Sequence, residues 1–411
     1  MRKLTLTVVC LTVLLGLLSS CTPAKTSTST TTSATTAAAP VTTTPASPTK
    51  PAAPARVTPK LLTVSTLDVG STAYQYVGFV GESIKDKFGV AMRLSPVSSD
   101  VGRLVLARTG QIQFAQLGGA GLLAREGLAD FSNRAWGPQP LRLTYQLAGG
   151  ITGVAVRADS NIQTIRDLKG KRIPFVVGVA AHNTLIEGIL AGFAGLTWND
   201  VVKVDFPSFA ATVDSLVAGK TDIAIINPTS SQAVVVQSGP GGIRWLPLPF
   251  ADKAGWKILQ DFAPDRLPTR VTTGPTISES KPLEALGGPT AIDAYPSLDP
   301  DVAYFNTRAW AESFTLFKDK HVLLNDASLE HALDVVGTIP YAWHPGSIAY
   351  FKDVGKWTPQ LEAWNNKVLD HEARLLKAWE ACLAEVDATK LTEDKLPALW
   401  AKYRKEVPPV E

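Results

Sequence analysis

Two similar strand–helix–strand units constrain the fold of this chain more than any other feature of its sequence. In each unit a glycine turn follows a buried strand and a second glycine precedes the closing strand. Gly70 and Gly110 are 40 residues apart, and Gly178 and Gly219 are 41 residues apart. Apolar runs predict strands at 61–66, 92–94, 112–116, 172–177, 201–206 and 223–227. A period this long does not suit stacked repeats, so the two units indicate two similar lobes.

Helical patterns lie between these strands. Apolar residues recur three or four positions apart in two clear sets: Ala73, Val77, Val80, Ile84 and Phe88, and then Leu185, Ile189 and Phe193. Alternation of strands and helices favours parallel strand pairing with helices on both faces of the sheet. Each lobe is therefore expected to be an α/β unit with a mainly parallel sheet.

Four turns at equivalent positions of the two lobes form the candidate binding site. Strand ends and helix starts of two such lobes meet around a shared cleft, where backbone N–H groups and short polar side chains can hold an anion. The candidate ligand-binding residues are Gly70, Ser71, Thr72, Tyr74, Gln116, Gly118, Ala181, His182, Asn183, Thr184, Asn227 and Thr229. Helix capping by Ser, Thr and Asn is the alternative explanation for the same residues.

The N-terminus predicts export and a lipid anchor. Arg2 and Lys3 precede an apolar run that is too short to span a bilayer, and Leu18-Ser-Ser-Cys21 follows it. This pattern resembles a bacterial lipoprotein signal (residues 1–20), in which Cys21 carries the lipid. An ordinary signal peptide with an unrelated cysteine is the alternative. The protein is thus expected on the outer face of the cell membrane, as a periplasmic or surface lipoprotein.

Residues 21–59 are rich in Thr, Ala, Pro and Ser, which predicts a disordered tether between the anchor and the folded part. Cys10 leaves with the signal and Cys21 carries lipid, so Cys382 has no partner for an internal disulfide. Cys382 lies in an amphipathic helical stretch, Leu375–Val386, where a buried thiol is favoured over a reactive one.

Charge and motif content argue against several classes of function. Of the 40 basic residues, Arg2 and Lys3 leave with the signal, so 38 remain against 37 acidic ones, and no nucleic-acid partner is indicated. None of the five histidines pairs with another at metal-ligand spacing, and no nucleophile elbow is present. We therefore predict no catalytic residues, no metal and no cofactor, with an enzyme on a two-lobed fold as the remote alternative.

His344 before Pro345 predicts a loop entering a helix.

Several motifs, in order, resemble the TAXI family of TRAP-transporter receptors. They are Asp68–Tyr74, Ser160–Lys171, Leu216–Ala224 and the closing segment His344–Tyr350 with Gly355. The resemblance covers the chain from Leu61 to about Glu380. One departure concerns the second ligand turn, which is usually rich in glycine and serine but here is Ala180–Thr184, with His182 as an additional donor.

The resemblance implies a two-lobed, periplasmic-binding-protein-like fold with hinge strands near Gly149-Gly150 and Thr272-Thr273. It divides the folded part into 60–150 (lobe 1), 151–272 (lobe 2) and 273–411 (return to lobe 1 and C-terminal helices). It also implies a monomeric receptor that captures a small organic anion, such as a carboxylate, and delivers it to a TRAP-type permease. The receptor of an ABC importer of the sulfonate or aromatic type is the nearest alternative, and a surface adhesin or sensor is disfavoured.

Overall fold

The computed structural model describes residues 56–147, 150–336 and 339–410. The predicted signal peptide, Cys21 and the tether as far as residue 55 lie outside the described residues, as does Gly149 of the first predicted hinge. The strands are β1 (Leu61–Thr66), β2 (Ala91–Pro96), β3 (Phe114–Leu117), β4 (Arg142–Leu147), β5 (Gly153–Val156), β6 (Arg172–Val176), β7 (Val202–Phe206), β8 (Ala224–Ile226), β9 (Arg244–Leu246), β10 (Leu267–Val271), β11 (Leu283–Gly287) and β12 (Thr290–Ala294).

The α-helices of the same residues surround these strands. They are α1 (Thr72–Phe88), α2 (Asp100–Arg108), α3 (Gly119–Arg125), α4 (Ala180–Ala194), α5 (Phe209–Val217), α6 (Ser231–Ser238), α7 (Lys253–Phe262), α8 (Pro300–Phe317), α9 (Leu329–Ala332), α10 (Pro345–Asp353), α11 (Pro359–Thr389) and α12 (Leu396–Lys405). The fold is a two-lobed, periplasmic-binding-protein-like α/β fold, and each strand and helix predicted within the two repeated units is confirmed.

Lobe 1 is built on a five-stranded sheet with the order β2-β1-β3-β12-β4. β1 pairs in parallel with β2 and β3, whereas β12 runs antiparallel to β3 and β4. Apolar side chains cover both faces of this sheet. Leu62, Val64 and Phe114 pack with Trp310 on one face, and Ala115 belongs to a cluster on the other.

Lobe 2 has a three-stranded sheet, β8-β5-β9, with β5 antiparallel to both neighbours. β6 and β7 pair in parallel, and β10 and β11 form an antiparallel pair. The expectation of mainly parallel sheets is therefore corrected: lobe 1 has one mixed sheet, and lobe 2 combines separate antiparallel and parallel sheets. The reason is that β5 and β12 each enter from the other lobe, so no helical crossover forces them to run parallel to their neighbours.

Two chain crossings connect the lobes, one from β4 to β5 and the other from β11 to β12. They lie side by side, because the Gly150 N–H donates to the Gly288 carbonyl (2.8 Å) and the Thr152 N–H donates to the Leu286 carbonyl (2.8 Å). The second crossing comes later than the predicted Thr272-Thr273. Those two residues instead follow β10 in lobe 2, where Val271 and Leu283 pack in one apolar cluster.

The C-terminal helices α11 and α12 pack on each other and on lobe 1. Trp379 and Trp400 meet edge to face there, and Cys382 is fully buried in the same cluster, as predicted. Arg142 holds Glu372 with two hydrogen bonds of 2.6 and 2.8 Å, which attaches α11 to β4. Among the described residues, no helix is both long and apolar enough to cross a membrane.

Candidate functional site

A cavity of about 200 Å³ lies between the two lobes, beside the crossings. The turns after β1, β3, β6 and β8 all contribute to its wall, so the four predicted turns converge in space. The predicted residues that line it are Ser71, Thr72, Gln116, Gly118, Ala181, His182 and Asn227.

Five predicted residues, Gly70, Tyr74, Asn183, Thr184 and Thr229, do not line this cavity. Gly70 uses its carbonyl to accept from Ser231 of the opposite lobe (3.3 Å). Asn183 Oδ1 accepts from the Val176 N–H (2.9 Å), and Asn183 Nδ2 donates to the Val176 carbonyl (2.8 Å). Thr229 donates to the side chain of Asn227 within its own turn. The Asn183 and Thr229 contacts support local structure, which is what the capping alternative describes, whereas the Gly70 contact joins the two lobes.

Two carboxylates of lobe 1 reach the helix starts of lobe 2. Asp100 Oδ2 accepts from the Ala181 N–H at the start of α4 (3.1 Å), and Asp68 Oδ2 accepts from the Phe209 N–H at the start of α5 (3.1 Å). The start of α1 is capped by its own Ser71, which accepts from the Tyr74 N–H. Of the helix N-termini that sequence reasoning assigned to a ligand anion, those of α1 and α4 are thus occupied by side chains of the protein, whereas α3 has no side-chain cap.

Five polar atoms of residues that line the cavity lack a hydrogen-bond partner among the described residues. They are Thr72 Oγ1, Tyr76 Oη, Arg103 Nε, His182 Nε2 and Arg266 Nε. Burial lowers the pKa of His182 to about 4, so the imidazole is neutral at neutral pH and can donate or accept one hydrogen bond. Buried polar atoms are normally satisfied, so these five are the groups that a bound solute could engage.

Charged side chains at the cavity are the largest omission of the sequence-based prediction. Asp100 and Arg103 form a buried ion pair with 2.5 Å between Oδ1 and Nη2, and Arg266 lines the cavity from lobe 2. Burial raises the pKa of Asp100, and the Arg103 charge opposes that rise. Tyr76, Gln232 and Thr290 also line the wall and were not predicted. Neither periodicity nor a short motif marks these residues.

The rest of the wall is largely apolar. His182 meets Phe209 edge to face with 5.3 Å between ring centroids, and Val179, Leu185 and Ile225 lie nearby. Such a surface suits the hydrocarbon part of a small molecule, with the few polar groups fixing its orientation. In the described part of the chain, no group of three or more His, Cys, Asp or Glu residues is placed to hold a metal ion.

The closing motif lies away from the cavity, in the core of lobe 1. His344 Nδ1 accepts from the Gly346 N–H (3.1 Å) and Pro345 begins α10, so the predicted loop-to-helix transition is confirmed. A Cβ on Gly346 would lie 2.0 Å from the Pro300 carbonyl oxygen, so this glycine permits close packing of α10 against α8. The motif therefore has a structural role in this chain.

Comparison with known proteins gives one family and a set of similar structures. The NMT1-like family matches residues 64–355, which span both lobes. No curated protein matches the chain. The chain is similar to the alkanesulfonate-binding protein SsuA from Xanthomonas axonopodis pv. citri bound to MOPS (18% identity, 82% of this chain and 95% of that chain, TM-score 0.38). It is also similar to the periplasmic aliphatic sulphonate binding protein SsuA from Escherichia coli (15%, 86% and 94%, TM-score 0.38).

Proposed function

Because this chain belongs to the NMT1-like family, we propose that it is an extracytoplasmic solute-binding receptor that captures a small organic anion between its lobes. The observation that carries the proposal is the interlobe cavity, where four turns of two lobes converge beside the crossings. A molecule held by both lobes favours the arrangement in which the lobes meet, and a membrane importer can distinguish that arrangement from an open one. The protein acts by binding and release, without catalysis.

Its partner is proposed to be an ABC importer, with a TRAP permease as the second candidate. The family match is to the NMT1-like family and does not by itself show the TAXI family that the motifs resemble, and the closing motif serves packing within lobe 1. The order of the motifs from Asp68 to Tyr350 supports the second candidate. Transport that requires ATP hydrolysis would favour the first, and transport driven by an ion gradient would favour the second. Cys21 is proposed as the lipid-carrying residue, on the strength of Leu18-Ser-Ser-Cys21.

Native mass spectrometry of the purified full chain tests the receptor assignment. We expect a small molecule bound to the native wild-type chain and released on denaturation. Ala73→Phe should abolish this binding, because Ala73 lies on the cavity wall and a larger side chain would fill the space. Absence of any bound molecule, or unchanged binding in the variant, would contradict the proposal.

A further inference from the structure

Arg266 is a buried cation whose ion pair with Asp265 is long and has no hydrogen bond. The residue is 9% exposed and lies between α7 and β10, where it lines the interlobe cavity. Its guanidinium donates no hydrogen bond to any described residue, and the nearest carboxylate oxygen, Asp265 Oδ1, is 3.5 Å from Nε. A buried guanidinium without hydrogen bonds is costly, so this one is suited to a partner that arrives from solution.

Glycines of three segments make room for this guanidinium. A Cβ on Gly119 would lie 2.8 Å from Nη2, and a Cβ on Gly288 would lie 2.5 Å from Nη1. A Cβ on Gly150 would lie 3.8 Å from Nη1. These glycines belong to the start of α3 and to the two crossings, so Arg266 of lobe 2 projects to the place where both lobes and the crossings meet. Side chains at these positions would displace it.

The other charged groups of the cavity are already paired. Asp100 places one oxygen on Arg103 and the other on the Ala181 N–H. Arg103 also donates from Nη1 to the carbonyls of Val97 and Ser98. In the described part of the wall, Arg266 is therefore the cation left for a solute, and no lining carboxylate is free to accept an ammonium group.

We propose that Arg266 binds the acidic head group of a monoanionic solute, a carboxylate or sulfonate without an ammonium group, whose apolar body contacts Phe209 and Leu185. This inference rests on the proposed receptor function and narrows its substrate class. The planar guanidinium matches the two oxygens of such a head group, and a charge-assisted pair in a water-poor cavity discriminates strongly against uncharged analogues. Amino acids are disfavoured because no carboxylate among the residues that line the cavity is free for their ammonium group; the unpartnered Asp265 Oδ2 lies outside that lining.

The test uses five probes, each with five carbon atoms in all, on the purified full chain. Pentanoate and pentane-1-sulfonate carry the acidic head group, and pentan-1-ol, pentylamine and norvaline are the uncharged, cationic and zwitterionic matches. We expect only the two acids to raise Tm and to give heat in calorimetric titration. Arg266→Gln should weaken their binding about 10- to 100-fold, the range for a hydrogen-bonded charge, and Arg266→Lys should retain part of it.

Asp265→Asn is the matched control. If Arg266 only stabilises the fold as the partner of Asp265, both variants should lower Tm without ligand and leave the affinity for the acids unchanged, which would overturn the inference. Failure of both acids to bind wild type, or tighter binding of norvaline or pentylamine, would overturn it as well. A small molecule found bound to the native wild-type chain would in those cases leave the receptor function standing, so the two failures are distinguishable.

Discussion

At the scale of single residues, similar polar side chains have different tasks. Thr72 and Asn183 were predicted for the same role, one in each lobe. Thr72 Oγ1 lies at the cavity wall without a partner among the described residues, whereas both polar atoms of the Asn183 side chain are used by Val176. A short polar residue in a turn can cap a helix, hydrogen-bond a neighbouring backbone segment or bind a ligand, and the sequence pattern is the same for all three.

Thr72→Val and Asn183→Ala should therefore differ in what they change. Thr72→Val removes a hydroxyl with almost no change of shape, and we expect it to weaken binding of pentane-1-sulfonate by about 1–3 kcal/mol while Tm stays close to wild type. Asn183→Ala leaves the Val176 N–H and C=O without this partner, so we expect a clearly lower Tm and a nearly unchanged affinity. Calorimetric titration with thermal melts measures both, and the reverse pattern would contradict the assignment.

Arg266 shows why the sequence reveals only part of a site. The turns after β1, β3 and β6 were predictable because each follows an apolar run and precedes a helical pattern. Arg266 lies outside any such pattern and reaches the site only because lobe 2 folds against the crossings. The pairs Gly118-Gly119, Gly149-Gly150 and Gly287-Gly288 are the one sequence signal that could have indicated a close approach, but they do not name the residue that approaches.

At the scale of elements, the strands and helices of the repeated units followed from local patterns, whereas sheet direction did not. β1 is a buried apolar run, and α1 begins after the capping residue Ser71. The apolar pattern and the capping residue therefore indicate the same boundary between strand and helix. The antiparallel direction of β5 and β12 depends on which lobe each strand enters from. That is a property of the chain path, and apolar periodicity carries no information about it.

Asp68 joins two elements of different lobes, so its removal should act on the contact between the lobes. Besides Phe209, its Oδ2 accepts from the Ala210 N–H (3.4 Å), where a negative charge also meets the helix dipole of α5. We expect Asp68→Ala to shift the balance between closed and open lobes by about 1–2 kcal/mol, a factor of about 5 to 30. Distances between spin labels on the two lobes would lengthen, and the affinity for pentane-1-sulfonate would fall with the closed population.

Asp252→Ala is the control at the same scale. Asp252 caps α7 by accepting from the Gly255 N–H (2.9 Å), entirely within lobe 2. Its loss should lower Tm and leave the distance between the lobes unchanged. An equal change of that distance in both variants would mean that Asp68 acts through general stability, and the role assigned to it here would be wrong.

At the scale of the whole molecule, contacts around the cavity hold the lobes together. Gln75 of lobe 1 donates to Ser231 of lobe 2 (2.7 Å), and the Asp100 N–H donates to the Gly178 carbonyl (3.0 Å). With the two carboxylate contacts to α4 and α5, these bonds surround a cavity that only the meeting of the lobes creates. Sequence reasoning placed this cleft through the recurrence of one unit, and the contacts that close it depend on the relative placement of the lobes.

The end of the predicted tether also contacts the folded part. This contact decides where a deletion of the tether should end. Arg56 lies 3.3 Å from Asp301 and 3.6 Å from Asp353, and its guanidinium stacks over Tyr304. The last residues of the predicted disordered segment (21–59) are thus bound to α8 and α10. Because these ion pairs are partly exposed, their contribution to the free energy of unfolding should be about 1 kcal/mol or less.

We therefore expect deletion of 22–55 to leave both Tm and ligand affinity unchanged, since it spares Arg56. Deletion of 22–59 should lower Tm by no more than about 2 °C, and Arg56→Ala in the intact chain should reproduce that change. Neither deletion should alter the affinity for pentane-1-sulfonate, because Arg56 lies on α8 and α10 of lobe 1 and none of its partners lines the cavity. A tenfold loss of affinity in the shorter deletion would show that residues 22–55 take part in binding and do more than link the receptor to its anchor.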